Sequence, residues 1–267
     1  NSNGRIPVDN ALIYENGAYR IDFEDLDRKM ADPANKVLVV CSPHNPTGRV
    51  WTEDELKKTV EICKKYDKWI ICDEIHCDLI RRGVTFTPIM NVAPEYADRI
   101  VVCTAPSKTF NLAGMKTSNI VIHNKELQKK WKDYVNGSLS MDGASALGMT
   151  AMIAAYTEGE EWLEQLKDYL DGNFAYIDEY LKKYLPKAHL VKAEGTYLAW
   201  LDLNGYVDRD EKKLEELMQK KAKVALEGYI FGEEGRGFER INVASPRSVI
   251  EECMNRIRTA FEEEKLV

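Results

Sequence analysis

The sequence predicts an α/β protein: a mostly parallel sheet with flanking helices forms the larger lobe, and a smaller α+β lobe follows it. Three observations lead there. Between Lys36 and His123, strand-sized apolar runs alternate with an amphipathic segment, the pattern of a sheet with crossover helices. After about residue 156 the pattern changes to short strands mixed with charged helices. The length, 267 residues with 44% hydrophobic content, suffices for a substantial core and is more naturally two compact lobes than one. We place the larger lobe at residues 1–156 and the smaller at 157–267.

Taken in order, strands are expected near residues 37–42, 69–73, 99–104 and 118–122. The helix after the first strand opens with Thr52 as N-cap and Glu55 three residues on, a capping box. It continues on apolar Leu56, Val60, Ile62 and Cys63 and ends near Asp67. Residues 124–135 and 144–186 read as helices, the second broken around Glu158-Gly159 and closed by Leu185-Pro186. Strands near 189–192 and 196–203, a charged helix near 210–227, a strand at 239–243 and a helix from Ser248 complete the smaller lobe. Ser248 with Glu251 forms a second expected capping box. No internal repeat or low-complexity stretch interrupts the pattern.

A net charge of -7 argues against nucleic acid and anionic membrane surfaces as partners, which leaves small molecules. The six cysteines, at 41, 63, 72, 77, 103 and 253, fall mostly in apolar runs without Cys-x-x-Cys spacing and read as reduced, buried thiols. The longest apolar runs are strand-sized, far too short to cross a bilayer. With no signal peptide in view, the expected location is the cytoplasm. The polar start, Asn1-Ser2-Asn3-Gly4 without a methionine, looks like an internal cut.

Three motifs fall at strand ends or in the loops after them, where an open α/β sheet places its ligands. The first is Ser42-Pro43-His44-Asn45-Pro46-Thr47-Gly48, which taken alone is a turn. The second, Asp73-Glu74-Ile75-His76, puts a carboxylate at the end of an apolar strand. That costs solvation unless a cation or donors meet it; a local alternative makes Asp73 a cap and His76 a core histidine. A metal site of Asp73, His76 and Cys77 does not match known zinc spacing, so no metal is expected. The third runs from Ala105 to Lys116 through Pro106-Ser107-Lys108-Thr109. Desolvation among small and apolar residues would free the Lys108 amine to attack a carbonyl. A fourth segment, Arg240-Ile241-Asn242-Val243-Ala244-Ser245-Pro246-Arg247, offers arginine, the side chain that grips a carboxylate with two parallel hydrogen bonds.

In order and spacing, Asn45-Pro46-x-Gly48, Asp73-x-x-His76, Ser107-Lys108 and Arg247 resemble the fold-type-I aminotransferases of class I/II. Within that superfamily the same stretches look most like the cystathionine β-lyase, or cysteine-S-conjugate β-lyase, branch. The resemblance covers essentially the whole chain and implies pyridoxal 5'-phosphate (PLP) as cofactor, an amino acid as substrate and a homodimer whose sites lie at the subunit boundary. It implies that Lys108 holds PLP as a Schiff base and serves as general base. By the same resemblance Asp73 keeps the pyridine nitrogen protonated, Asn45 donates to the phenolic oxygen, His76 stands where many relatives have tyrosine, and Arg247 clamps the substrate carboxylate. Ser107 and Lys116 are the candidate phosphate contacts. Here the sequence departs from the family, with Ala105 and Lys116 where relatives often carry serine and arginine.

Relatives have on the order of a hundred further residues ahead of the position matching Asn1, as ordinary two-lobe enzyme sizes suggest. The expectation is that this polypeptide alone binds PLP poorly or not at all; a visible absorption band on adding PLP, removed by Lys108→Ala, would contradict it. The implied reaction is β-elimination from cystathionine or related cysteine S-conjugates, giving thiol, pyruvate and ammonia. Transamination between an amino acid and a 2-oxo acid is the alternative, because fold and cofactor do not separate the two. A catalytically idle protein-binding module is the alternative from another class.

Overall fold

The computed structural model describes residues 4–141, 143–224 and 228–267. An antiparallel hairpin of β1 (Ile13–Glu15) and β2 (Ala18–Arg20) comes first. Asn16 and Gly17 turn it with φ of 52° and 77°, the backbone a two-residue hairpin of right-handed twist requires. Helix α1 (Phe23–Ala31) follows, its first turn capped by the Asp22 carboxylate, which accepts from the Asp25 N–H. These three elements precede the region in which the sequence reading placed strands and helices.

The four strands expected in the larger lobe form one sheet in the order β3 (Val37–Cys41), β4 (Trp69–Asp73), β5 (Ile100–Thr104) and β6 (Asn119–Ile122). The first three run parallel and β6 is antiparallel to β5. Helix α2 (Glu53–Lys65) crosses from β3 to β4, and both halves of its Thr52–Glu55 capping box are formed. Its Leu56, Val60, Ile62 and Cys63 are buried with Leu26 of α1 and Ile70 of β4. The short α3 (Ile89–Val92) precedes β5, and α4 (Pro106–Thr109) follows it directly. After β6 come α5 (Lys125–Lys132), α6 (Ala146–Glu158) and α7 (Glu160–Tyr184). The break between the last two falls at Gly159, as the sequence suggested.

The smaller sheet is antiparallel, in the order β7 (His189–Leu190), β8 (Leu198–Asp202) and β9 (Phe238–Asn242). Between β8 and β9 lie α8 (Asn204–Val207) and α9 (Glu211–Glu215). Helix α9 continues as a π-helical stretch that closes at Ala222, followed by left-handed Lys223. The helix expected over 210–227 therefore stops short, and its residues 225–227 lie outside the described ones. Helix α10 (Arg247–Glu263) packs against α7, and Leu170, Ile177, Leu201, Met254 and Phe261 form a second core.

The capping box expected from Ser248 and Glu251 is not formed. Pro246 is the N-cap, and its carbonyl accepts from the Val249 and Ile250 N–H groups. Ser248 thus lies inside the first turn, beyond the position from which a hydroxyl caps. The N–H of Arg247 is instead taken by the Tyr169 hydroxyl of α7 at 2.7 Å, so a tertiary contact replaces the local cap.

The loop after β3 is bonded to the segment that leads into β8. The Gly48 carbonyl accepts from the N–H groups of Glu194 and Gly195 at 2.8 and 2.9 Å, and the Glu194 carboxylate takes the Val50 N–H at 3.0 Å and pairs with Arg49. Gly48 sits at φ 72°, where a Cβ would lie 2.9 Å from that of Ala193. Gly48→Ala is therefore expected to lose about 2 kcal/mol or more of stability, read as a fall in the urea midpoint.

Candidate functional site

The C-terminal ends of β3, β4 and β5 lie side by side. Cys41, Asp73 and Cys103 are paired across the three strands, so their side chains leave the sheet on one face. The chain turns sharply after each strand. Ser42 donates its N–H to the Asp73 carbonyl at 3.0 Å, and the Asp73 carboxylate accepts from the Ile75 N–H at 3.1 Å. Past β5, the turn of α4 carries Lys108, half-buried, and is tied back by the Thr109 hydroxyl, which donates to Asp78 at 2.8 Å. The two loops that bear Asp73 and Lys108 are thereby held together.

His76 lies three residues beyond Asp73 and is only 3% exposed. Its ring stands edge-on to Tyr197, with centroids 5.5 Å apart. Burial, and after it the positive charges of Lys108 and Arg240, push its pKa down to about 4. The imidazole is therefore neutral at pH 7, and both cations stand near enough to act on it. An unfolded chain protonates this histidine near pH 6.5. As pH falls from there to about 4, the unfolded state binds a proton that the folded state refuses, and stability drops. The expected loss over that window is about 3 kcal/mol. Denaturation midpoints of the protein and of His76→Gln between pH 7 and pH 4 check it: the variant should show the shallower acid slope.

Arg240 reaches the site from β9. One of its terminal nitrogens donates to the Asn45 side-chain oxygen at 3.0 Å, and its guanidinium lies over the Phe231 ring, 4.6 Å from the centroid. Because the Asn45 oxygen is engaged by Arg240, the amide nitrogen of Asn45 is the end left to donate to a ligand.

Arg247 goes elsewhere. Its Nε donates to Asn173 at 2.8 Å, and its guanidinium lies 4.9 Å from the Tyr176 centroid. Asn173 in turn donates to the carbonyls of Val243 and Ser245, so Arg247 belongs to the α7–α10 packing. The two arginines are seven positions apart, but Arg240 leaves β9 on the face that carries Trp200 and Arg247 begins a helix that packs on α7. Lys116 lies on an exposed left-handed turn and Ser107 is half-buried; neither side chain makes a hydrogen bond to Asn45, Asp73 or His76 among the described residues.

The structure thus gathers Asn45, Asp73, His76 and Lys108 at one end of the sheet, adds Arg240, and leaves Arg247 outside. Sequence reasoning also passed over Tyr197, Phe231 and Ser42. Ser42 is 1% exposed, and its hydroxyl and the Nδ1 of His76 are buried without a hydrogen-bond partner among the described residues. Buried polar atoms of this kind are costly unless a ligand meets them. A free amide donor, a neutral imidazole, a carboxylate and a primary amine form a donor set that fits a heterocycle with a ring nitrogen, a phenolic oxygen and an aldehyde. Unpaired polar atoms at strand ends are the signal that could have found Ser42; the strand alternation of 238–242 is the one that could have favoured Arg240.

The family described as Aminotransferase class I and II matches residues 3–257. Cystathionine beta-lyase PatB of Bacillus subtilis is 38% identical over 97% of this chain and 67% of its own. The crystal structure of cystalysin from Treponema denticola, which contains a pyridoxal 5'-phosphate cofactor, superimposes with a TM-score of 0.90 at 39% identity, over 95% of this chain and 64% of that one. A PLP-bound C-S lyase from Staphylococcus hominis gives 0.84 at 39% identity, over 93% and 63%. A probable aspartate/prephenate aminotransferase of Aquifex aeolicus is more distant, at 27%. The chain spans about two thirds of the length of the relatives it matches.

Proposed function

The chain belongs to the aminotransferase class I and II family, and from that premise we propose that it is a PLP-dependent C-S lyase that eliminates a thiol from cysteine S-conjugates such as cystathionine. The observation that carries the reading is the gathering of Lys108, His76, Asn45 and Arg240 at the strand ends beside Asp73. The higher identity to lyases than to aminotransferases supports elimination as the outcome.

When bound, the cofactor supplies an electron sink for negative charge that develops at the substrate Cα. The rest is done by side chains of this chain. Asp73 would hold a proton on the ring nitrogen by its charge. Asn45, its oxygen fixed by Arg240, donates from its nitrogen to the phenolic oxygen. Neutral His76 adds a hydrogen-bonding group without adding charge. Lys108 would be the amine that anchors the cofactor and the base that takes the proton from Cα. Arg240, rather than Arg247, takes the substrate carboxylate, since it alone of the two stands beside Asn45 and His76. Departure of the thiolate from Cβ then leaves a fragment that water converts to pyruvate and ammonia. Ser107 and Lys116 are assigned to the phosphate on the family resemblance.

Incubating the intact enzyme, loaded with PLP, with cystathionine and no 2-oxo acid should release pyruvate and thiol in equal amounts. Turnover only when a 2-oxo acid is supplied would identify transamination, the second reading, which the family description also admits. Exposed apolar side chains, among them Val39 at the sheet edge and Leu147 and Ile153 on α6, support a further contact partner and agree with a homodimer. Light scattering tests that. No helix among the described residues is long and apolar enough to cross a membrane, and the six free thiols support a reducing compartment such as the cytoplasm.

A further inference from the structure

We propose that Phe231 is a positioning residue for Arg240: an aromatic platform, braced from behind by Trp200 and the β1–β2 hairpin, that aims the guanidinium at Asn45 and the substrate carboxylate. The inference rests on the reading of Arg240 as the carboxylate-binding group.

The platform is built in layers. Arg240 and Trp200 are directly paired across β9 and β8, so both side chains leave the small sheet on one face. Phe231 closes over that pair. Its ring lies 4.6 Å from the Arg240 guanidinium carbon and meets Trp200 edge-on, with centroids 5.6 Å apart at 87°. Trp200 is itself held on its other sides. It is 2% exposed, stacks on Phe238 at 5.1 Å and 7°, and donates its indole N–H to the Tyr19 hydroxyl at 3.0 Å. Tyr19 packs against Tyr14 at 4.7 Å, whose hydroxyl donates to Asp202 at the end of β8. Every ring in this series is fixed by the next, and the series ends on Arg240, the cation that bonds Asn45 among the described residues.

A long arginine side chain loses rotamer freedom when it binds, and an aromatic face that already orients the guanidinium removes part of that cost. The planar fork must also present two N–H groups edge-on to a carboxylate. The expected consequence is confined to binding of the carboxylate, with the proton transfers at Lys108 untouched.

Phe231→Leu should raise KM for an amino-acid substrate about threefold to thirtyfold, the range of a cation–π contact from exposed to desolvated, with kcat little changed. Phe231→Tyr should restore the original KM. In the cofactor-free protein, the Arg240 Nε–H resonance should sit upfield under the ring current, move downfield in Phe231→Leu and return in Phe231→Tyr. Arg240→Leu separates the two layers of the reading. If it leaves KM unchanged, the carboxylate assignment itself is wrong. If it raises KM while Phe231→Leu changes neither KM nor the Nε–H resonance, the platform is overturned and the carboxylate assignment stands. A fall in kcat with unchanged KM in Phe231→Leu would also overturn it.

Discussion

In the intact enzyme, Lys108→Ala is expected to lose a thousandfold or more in kcat/KM, because the proposed function gives one amine two tasks. As nucleophile it would anchor the cofactor, and as general base it would remove the Cα proton, a task worth about 10²–10⁴ by itself. Its position supports both. The short helix α4 starts at Pro106, and the Thr109–Asp78 bond pins that turn to the loop after β4. Alanine keeps the turn and its hydrogen bonds, so folding should be little affected. Borohydride reduction followed by intact mass is the second measurement: the parent protein should retain one PLP covalently and the variant none. Retention of more than a tenth of the activity with normal PLP attachment would remove Lys108 from both roles.

Asp73→Asn is expected to cost about a hundredfold to a thousandfold in kcat, the range seen when one preorganised electrostatic contact to developing charge is removed. The substitution preserves shape and can keep the acceptor for the Ile75 N–H, while deleting the charge that holds a proton on the ring nitrogen. Two half-buried thiols, Cys41 and Cys103, flank Asp73 across the sheet, and Cys41 is held up at about 11 by burial, with the Asp73 charge a smaller cause. No cation is paired with Asp73 by an ion pair among the described residues, which leaves its charge available to a bound pyridinium. Asp73→Glu, with the charge kept but displaced by one methylene, should fall between the parent and Asp73→Asn. Equal activity of Asp73→Asn and the parent would argue against any role at the ring nitrogen.

Much of the larger lobe was legible because its determinants are local. Runs such as Trp69–Cys72 are strand-length and apolar, and Thr52 with Glu55 satisfies a helix start within four residues. The same logic failed at Ser248 and Glu251, where an equally good local pattern lost to Pro246 and to the Tyr169 hydroxyl arriving from α7. The hairpin at Asn16-Gly17 carried a readable turn signal but only three-residue strands, too short for periodicity to register. Placing Asn45, Asp73 and Lys108 in one site needed only the rule that loops after parallel strands converge at their C-terminal ends.

The sequence alone therefore determined the class of fold and the strand ends that bring the proposed lysine and carboxylate together. These follow from interactions between residues close along the chain and from the geometry shared by all parallel sheets. Only the tertiary structure decided that Arg240 and not Arg247 meets Asn45, a contact spanning 195 residues, and that Phe231 lies beneath it. Strand alternation hints at Arg240, but no local pattern shows what either of the two arginines meets. Their fates diverge because one leaves a strand facing the other lobe and the other is claimed by Asn173 and Tyr176 as two helices pack.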